Sequence, residues 1–454
     1  MEKVSLVTFE EAMKCSRGES YDCFSHYVNP AEASLMKMAD LDRRYTRASG
    51  IFLYDEAGRE YMDFTAGYGA LNLGHNPPEV LKAVDAARTL PAVLLAGYNP
   101  LMGALAKNLS RLLPGELSMT SFGSGGAEAV ETAMKTALAS TRRRKFVSCT
   151  RAYHGLTLGA ISLCRSERNL EALGSSACET HSIPFGDLEA LEQKLKPKDI
   201  AGFVVEPVQG EGGAVVPPSG YLKGAEELCR KYGTLLILDE IQTGFGRTGK
   251  LFAMEHDRVQ PDIVTLSKSL GAGVVPISVS VTTPEIWKSA FGSRDRFDLV
   301  VSTFGGNPAA CAAALKSIEI TLRDKLPERA AELGEYARKR LQEMCEKHKH
   351  VKEIRGRGLL LGAALEAPRI LGGNKEENLT AMMATRLLDK HGILTSYYDL
   401  DPSVVRFEPP LTVTKEQLDR ALDAYDEVLG KGFAGLGLGF AKKMISRAVM
   451  TRSG

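Results

Sequence analysis

The chain has 454 residues, 44% of them hydrophobic and 25% charged, with 57 Lys and Arg against 56 Asp and Glu for a formal net charge of +1. This ordinary globular composition excludes a disordered, collagen-like or coiled-coil protein, and at roughly 150 residues per domain it provides for two to three domains. The near-zero charge supplies no global field to draw the chain onto nucleic acid or an anionic membrane.

The first stretch, Met1 to Lys14, alternates charged with apolar residues. It lacks the basic start and apolar block of a signal peptide. No apolar run reaches the roughly 18 residues that cross a bilayer. The eight cysteines are sparse and form no CxxC pair, so they read as reduced thiols of a cytoplasmic protein. Residues 1–79 carry hairpin signals, such as Ile51 to Gly58, and are expected to pack with the C-terminal part of the chain. From 80 to 325, short apolar runs alternate with helical patterns. The runs are Phe146–Ser148, Phe203–Val205, Leu235–Leu238 and Ile263–Leu266. Continuous apolar runs suit strands covered on both faces. Between them, Ala127, Val130, Met134, Ala137 and Leu138 share one helical face. The alternation predicts a large, mainly parallel α/β domain. Residues 326–454 predict a smaller α+β domain. It has a charged amphipathic helix over 327–346, a strand over Gly358–Ala364, and a last helix opened by a capping box at Thr414–Gln417. His348 and His350 read as a solvated turn at a helix end, and no metal site is expected. The Gly-rich stretch after Leu429 reads as a loosely packed terminus, with a partner or membrane contact as the alternative.

In an open parallel sheet, ligands sit at the carboxyl ends of the strands. Four polar features fall there. Ser121 to Glu128 is glycine-rich and runs into a helix start, whose free N–H groups and dipole suit a phosphate. A plain Gly-rich turn explains it equally. Asp239 ends a buried apolar strand, where an ionised carboxylate needs a partner; it is either a structural cap or the counter-ion of a ligand nitrogen. Lys268 follows another buried strand. It is either a snorkelling surface lysine or an amine whose partly desolvated, neutral form attacks carbonyls. Tyr153, in Ala152-Tyr-His-Gly155, is either a core aromatic or a platform for a flat ring. Together, the phosphate cradle, ring platform, carboxylate and lysine meet the needs of pyridoxal phosphate.

The chain resembles the class-III pyridoxal-phosphate aminotransferases of fold type I, nearest the ornithine and putrescine branch. The resemblance runs from about residue 45 to 428. It is carried by Asp63-Phe-Thr-Ala-Gly67, Gly126–Glu131, Tyr153-His-Gly155, Glu206–Gly213, Leu238–Gly249, Lys268, Ser302–Pro308 and Arg406–Leu411. It implies that Lys268 bonds the cofactor aldehyde and moves the proton, and that Asp239 pairs with the pyridine nitrogen. It further implies that Gln242 meets the ring hydroxyl, Gly126 and Ala127 give N–H groups to the phosphate, and Tyr153 and His154 line the cofactor. Thr303 is expected to reach the phosphate of a neighbouring subunit, which makes a homodimer. Arg406 is expected to bind a substrate carboxylate, with Glu211 neutralising it when a simple amine enters. Two pocket residues pull apart: Tyr68 matches an ornithine-type pocket, whereas Leu156 stands where related enzymes carry a cation. The expected reaction is amino transfer between an amino acid, glutamate with 2-oxoglutarate, and an ω-amine or its carbonyl partner. The rivals are a decarboxylase or aminomutase on the same scaffold, and a non-catalytic dimeric binding protein.

Overall fold

The computed structural model describes residues 6–93, 96–164, 173, 178–367, 375–432 and 435–436. Among them, strands β1 (Tyr45–Ser49), β2 (Phe52–Asp55) and β3 (Glu60–Asp63) come first. Next are β4 (Met119–Gly123), β5 (Lys145–Cys149), β6 (Glu179–Ile183), β7 (Ile200–Val205), β8 (Leu235–Asp239), β9 (Ile263–Leu266) and β10 (Ser278–Thr282). Last are β11 (Val351–Arg357), β12 (Leu360–Leu365), β13 (Ile393–Leu394), β14 (Tyr397–Tyr398) and β15 (Asp401–Phe407).

The seven-stranded sheet has the order β4-β10-β9-β8-β7-β5-β6. Strands β5 to β9 pair in parallel, and β10 is antiparallel to both β4 and β9. The expected fold type I α/β architecture is therefore present, with one antiparallel strand inserted near an edge. The apolar runs are continuous because both faces are covered. Successive residues point to opposite faces, so Phe203 and Val205 join one core with the helices Pro100–Leu112 and Tyr221–Tyr232. Val204 and Ile237 join the other, beneath the helix Gly126–Thr141.

A second sheet, β1-β2-β3-β13, ties the N-terminal hairpin to residues 393–394 through parallel pairing of β3 with β13. The third, β11-β12-β15-β14, is antiparallel. It shares a core with the helices Leu326–Lys347 and Lys415–Gly430. The capping box at Thr414 forms reciprocally with Gln417. His348 differs from the expected solvated turn. It is buried, and its Nε2 lies 2.6 Å from Asp426 on the last helix, so it joins two helices. Among the described residues no cluster could hold a metal ion, and no helix is long and apolar enough to cross a membrane. Most of the Gly-rich stretch after Leu429 lies outside the described residues, as do Met1 to Ser5.

Candidate active site

The carboxyl ends of β5, β7, β8 and β9 converge on one polar cluster. Asp239 ends β8 and is buried. Its Oδ1 accepts from Ile241 N at 3.1 Å and Thr265 Oγ1 at 3.2 Å, and its Oδ2 lies 2.7 Å from His154 Nδ1. Burial depresses the His154 imidazolium, but the bond to Asp239 together with the charges of Asp239 and Glu206 outweighs it and raises its pKa. The other ring nitrogen of His154, Nε2, is buried with no hydrogen-bond partner. His154 thus stands behind Asp239 and holds its carboxylate in place.

Lys268 lies two residues beyond β9, at φ +47°. A non-glycine residue in this left-handed region costs about 1–3 kcal/mol, a strain that tends to be stored at functional sites. Its ammonium makes no hydrogen bond or ion pair with any described residue. Burial lowers its pKa, against the opposing pull of Glu211 and Glu408. A desolvated lysine with no fixed partner has the chemistry of a nucleophilic amine.

The loop after β5 is anchored from two sides. Tyr153 N donates to Glu206 Oε1 at 3.0 Å, and Gly210 N donates to Glu206 Oε2 at 2.9 Å. Burial pushes the Glu206 carboxyl up to about 7. Beyond the loop, Glu131 accepts from Thr157 Oγ1 at 2.7 Å and from the backbone of Gly159 at 2.7 Å and Ala160 at 3.2 Å. That carboxylate caps the helix Leu158–Leu163. Gly155, at φ +112°, passes so close to the helix 126–141 that an added Cβ would lie 2.5 Å from Ala127 Cβ. The loop bearing Tyr153 and His154 is therefore seated directly on the expected phosphate residues. There, Gly125 is the N-cap with no side-chain cap, and no described acceptor takes the N–H of Gly126 or Ala127. Two open amides at a helix start form an anion cradle.

Arg406, on β15, is fully buried. Its Nη2 bonds both oxygens of Glu211, at 2.9 and 2.8 Å. Its Nη1 bonds Glu408 Oε2 at 2.6 Å. The guanidinium carbon lies 4.0 Å from the Tyr398 ring centroid and 4.6 Å from that of Tyr68. Tyr68 reaches it from the turn Ala66–Gly69, where Ala66, Gly67 and Tyr68 all have positive φ. Gln242 Nε2 donates to both oxygens of Glu408, at 3.2 and 3.3 Å. Thr303 is exposed on the loop before the helix Pro308–Arg323. Leu156, which follows Gly155 in the same loop, is 66% exposed. Four buried groups at this site are additional to the sequence-derived set: Glu206, Glu408, Tyr398 and Arg247, the last with Nε 3.9 Å from Glu408 Oε1.

The family model for aminotransferase class-III matches residues 36–429. The chain belongs to the class-III aminotransferases. Over 430 residues it is 39% identical to a putrescine aminotransferase of Pectobacterium atrosepticum, covering 91% of this chain and 89% of the relative. It is 35% identical to the aminotransferase PigE of a Serratia strain, over 91% of this chain but 53% of PigE, so the chain spans about half the length of that relative. Among solved structures, an ornithine aminotransferase from Toxoplasma gondii superposes with a TM-score of 0.82 at 33% identity, covering 93% of this chain and 98% of the other.

Class-III aminotransferases depend on pyridoxal phosphate, and the donor set fits that group. Two open amides at a helix start suit a phosphate, a buried carboxylate suits a ring nitrogen, and a desolvated lysine unpaired among the described residues suits an aldehyde. Such a cofactor supplies an aldehyde that takes up the amine nitrogen and a ring that accepts an electron pair when a proton leaves carbon.

Proposed function

We propose that this class-III aminotransferase exchanges an amino group between glutamate, with 2-oxoglutarate as its partner, and an ω-amine or an aldehyde or ketone substrate, a terminal amine giving the aldehyde. The observation that carries this reading is the buried Arg406 with Glu211 on its Nη2. A free buried guanidinium would demand a carboxylate on every substrate. One already matched by an internal acid admits an amine without a carboxylate, and still accepts glutamate when Glu211 withdraws. The putrescine and ornithine aminotransferases among its relatives support the same substrate class.

In this reading Gly126 and Ala127 donate to the cofactor phosphate, and Tyr153 lies against the ring. Gln242 meets the ring hydroxyl. Asp239, oriented by His154, keeps the ring nitrogen protonated. Lys268 would hold the cofactor aldehyde and would move a proton as general base and acid at the amine-bearing carbon. Leu156 offers alkyl surface worth about 0.8 kcal/mol per buried CH₂ and no cation for a distal carboxylate. We therefore expect amines with uncharged tails to outrun ornithine, acetylornithine and 4-aminobutyrate. The working form is a homodimer, with Thr303 completing the neighbour's phosphate site. Its exposure supports this, as does the exposed apolar surface of Tyr98, Phe304, Leu156 and Leu158. The eight free cysteines support a reducing compartment, the cytoplasm.

Half-reactions of the cofactor-loaded protein test the reading, followed by bleaching of the cofactor absorbance. Donors are glutamate, 1,4-diaminobutane, pentylamine, ornithine and 4-aminobutyrate. Conversion by glutamate and by at least one simple amine is expected. Silence with glutamate, or with both simple amines, refutes the pairing. Fastest conversion by ornithine or 4-aminobutyrate refutes the role given to Leu156 and favours Tyr68 as the guide.

A further inference from the structure

Glu408 is a buried acid in direct contact with three functional elements. Its Oε2 lies 2.6 Å from Arg406 Nη1, both its oxygens accept from Gln242 Nε2, and its Oε1 lies 3.9 Å from Arg247 Nε. Its backbone is fixed as well, since Glu408 N donates to Phe64 O at 3.0 Å. An added Cβ on Gly69 would lie 3.1 Å from its Oε1, so the turn that carries Tyr68 closes over it. Arg247 is fully buried and binds neutral groups otherwise: the carbonyls of Leu359 and Pro409, and Asn72 Oδ1. Four buried charges thus form one group, Arg406 and Arg247 against Glu211 and Glu408, and they cancel.

We propose that Glu408 is a specificity-determining residue: a fixed counter-ion that keeps this group neutral while Glu211 alone exchanges with substrate, so that a cationic amine can enter. The proposal rests on the amine–glutamate reading above. Glu211 uses only Nη2, and Arg406 Nε is buried without a partner. An incoming carboxylate therefore has Nη2 and Nε to bind, while Glu408 retains Nη1. With Glu211 in place the group is neutral, and with Glu211 withdrawn it is +1 and draws a carboxylate. Without the Glu408 charge these become +1 and +2. The carboxylate half-reaction then keeps its attraction, whereas an amine arriving as an ammonium ion meets an uncompensated positive charge. One unit charge several ångströms away, at an effective protein dielectric, is worth about a tenfold change or more.

The test compares holoenzyme with Glu408→Gln and Glu408→Asp. Glutamine keeps the volume and an acceptor for Nη1 but removes the charge; aspartate restores the charge with a shorter reach. For Glu408→Gln we expect the amine half-reaction with 1,4-diaminobutane to lose about tenfold or more in kcat/KM, largely through KM. The glutamate half-reaction should change less than threefold, and calorimetric binding of glutarate, a dicarboxylate with no amino group, should stay equal or tighten. Glu408→Asp should recover much of the amine rate. Equal losses in both half-reactions, weaker glutarate binding, or aspartate performing no better than glutamine overturns the proposal and leaves Glu408 a packing residue. If Glu408→Gln does not fold, the aspartate variant decides alone: it must retain the native ratio of amine to glutamate rates. The native protein run in parallel separates the two failures. If it converts neither donor, the transamination reading falls and this one with it. If it converts both and the variants lose both equally, only the role of Glu408 falls.

Discussion

Gly155 is the point where the loop bearing Tyr153 and His154 rests on the helix Gly126–Thr141, and Gly155→Ala measures how much the site depends on that contact. The new Cβ would lie 2.5 Å from Ala127 Cβ and 2.9 Å from Ala127 Cα. Carbon atoms in contact sit about 3.5–4.0 Å apart, so one element must retreat by roughly 1 Å. Neither neighbour is the flexible end of a side chain, so the cost falls on backbone. Overpacking of this kind costs about 1–3 kcal/mol. The backbone there is also at φ +112°, which adds about 1–3 kcal/mol for a residue with a Cβ. Retreat moves either the open amide of Ala127 or the segment holding Tyr153 and His154, and both belong to the expected cofactor site. Gly155→Ala should therefore bind pyridoxal phosphate at least about tenfold more weakly, each factor of ten being about 1.4 kcal/mol, and the loaded protein should unfold at lower temperature. Gly125→Ala is the control from the same loop: its φ is −120° and its Cβ would meet nothing within 4 Å. Cofactor titration by fluorescence and thermal unfolding of both variants give the answer. Native affinity and native unfolding temperature in Gly155→Ala would show that the loop does not depend on this contact.

Lys268→Ala should keep the fold and lose turnover; borohydride reduction and peptide mapping of the native protein should place the cofactor on Lys268, and a label on any other lysine disposes of the assignment. Arg406→Lys should slow the glutamate half-reaction by about a hundredfold, because a bidentate charged contact of about 1.5–3 kcal/mol per bond is lost; loss of the same size with a simple amine removes the Glu211 exchange. Burial pushes the Glu240 carboxyl up to about 7 from its model-peptide range. Its folded state thus holds a proton that the unfolded chain releases, and stability should fall as pH rises from about 4.5 to 7, by up to about 1.4 kcal/mol per unit. Glu240→Gln should flatten that slope in denaturant titrations, and an unchanged slope assigns it to another group.

Strand-end chemistry is legible in the sequence because it is local. An apolar run followed within two residues by an acid or a lysine places that side chain at the sheet's carboxyl edge, and Asp239 and Lys268 both stand there. The same rule applied to β7 finds Glu206, which follows Val205 directly and anchors Tyr153 N. Pairing across the chain is a different matter. Arg406 and Glu211 are 195 residues apart, and no periodicity links them; only resemblance does. His154 and Asp239 are 85 apart, and their contact depends on β5 and β8 lying in one sheet with β7 between them. Glu408 lies between these cases. Residues i and i+2 of an extended strand share a face, so Arg406-Phe-Glu408 alone aligns the acid with the guanidinium, as the 2.6 Å bond bears out. What the alternation leaves open is which charge balances which, because Arg247 reaches Glu408 from the loop after β8. That balance is a property of four side chains from three loops and one strand. In the role proposed for Glu408 that balance decides whether an ammonium ion or a carboxylate is the easier guest, which makes substrate preference the least local feature of the molecule.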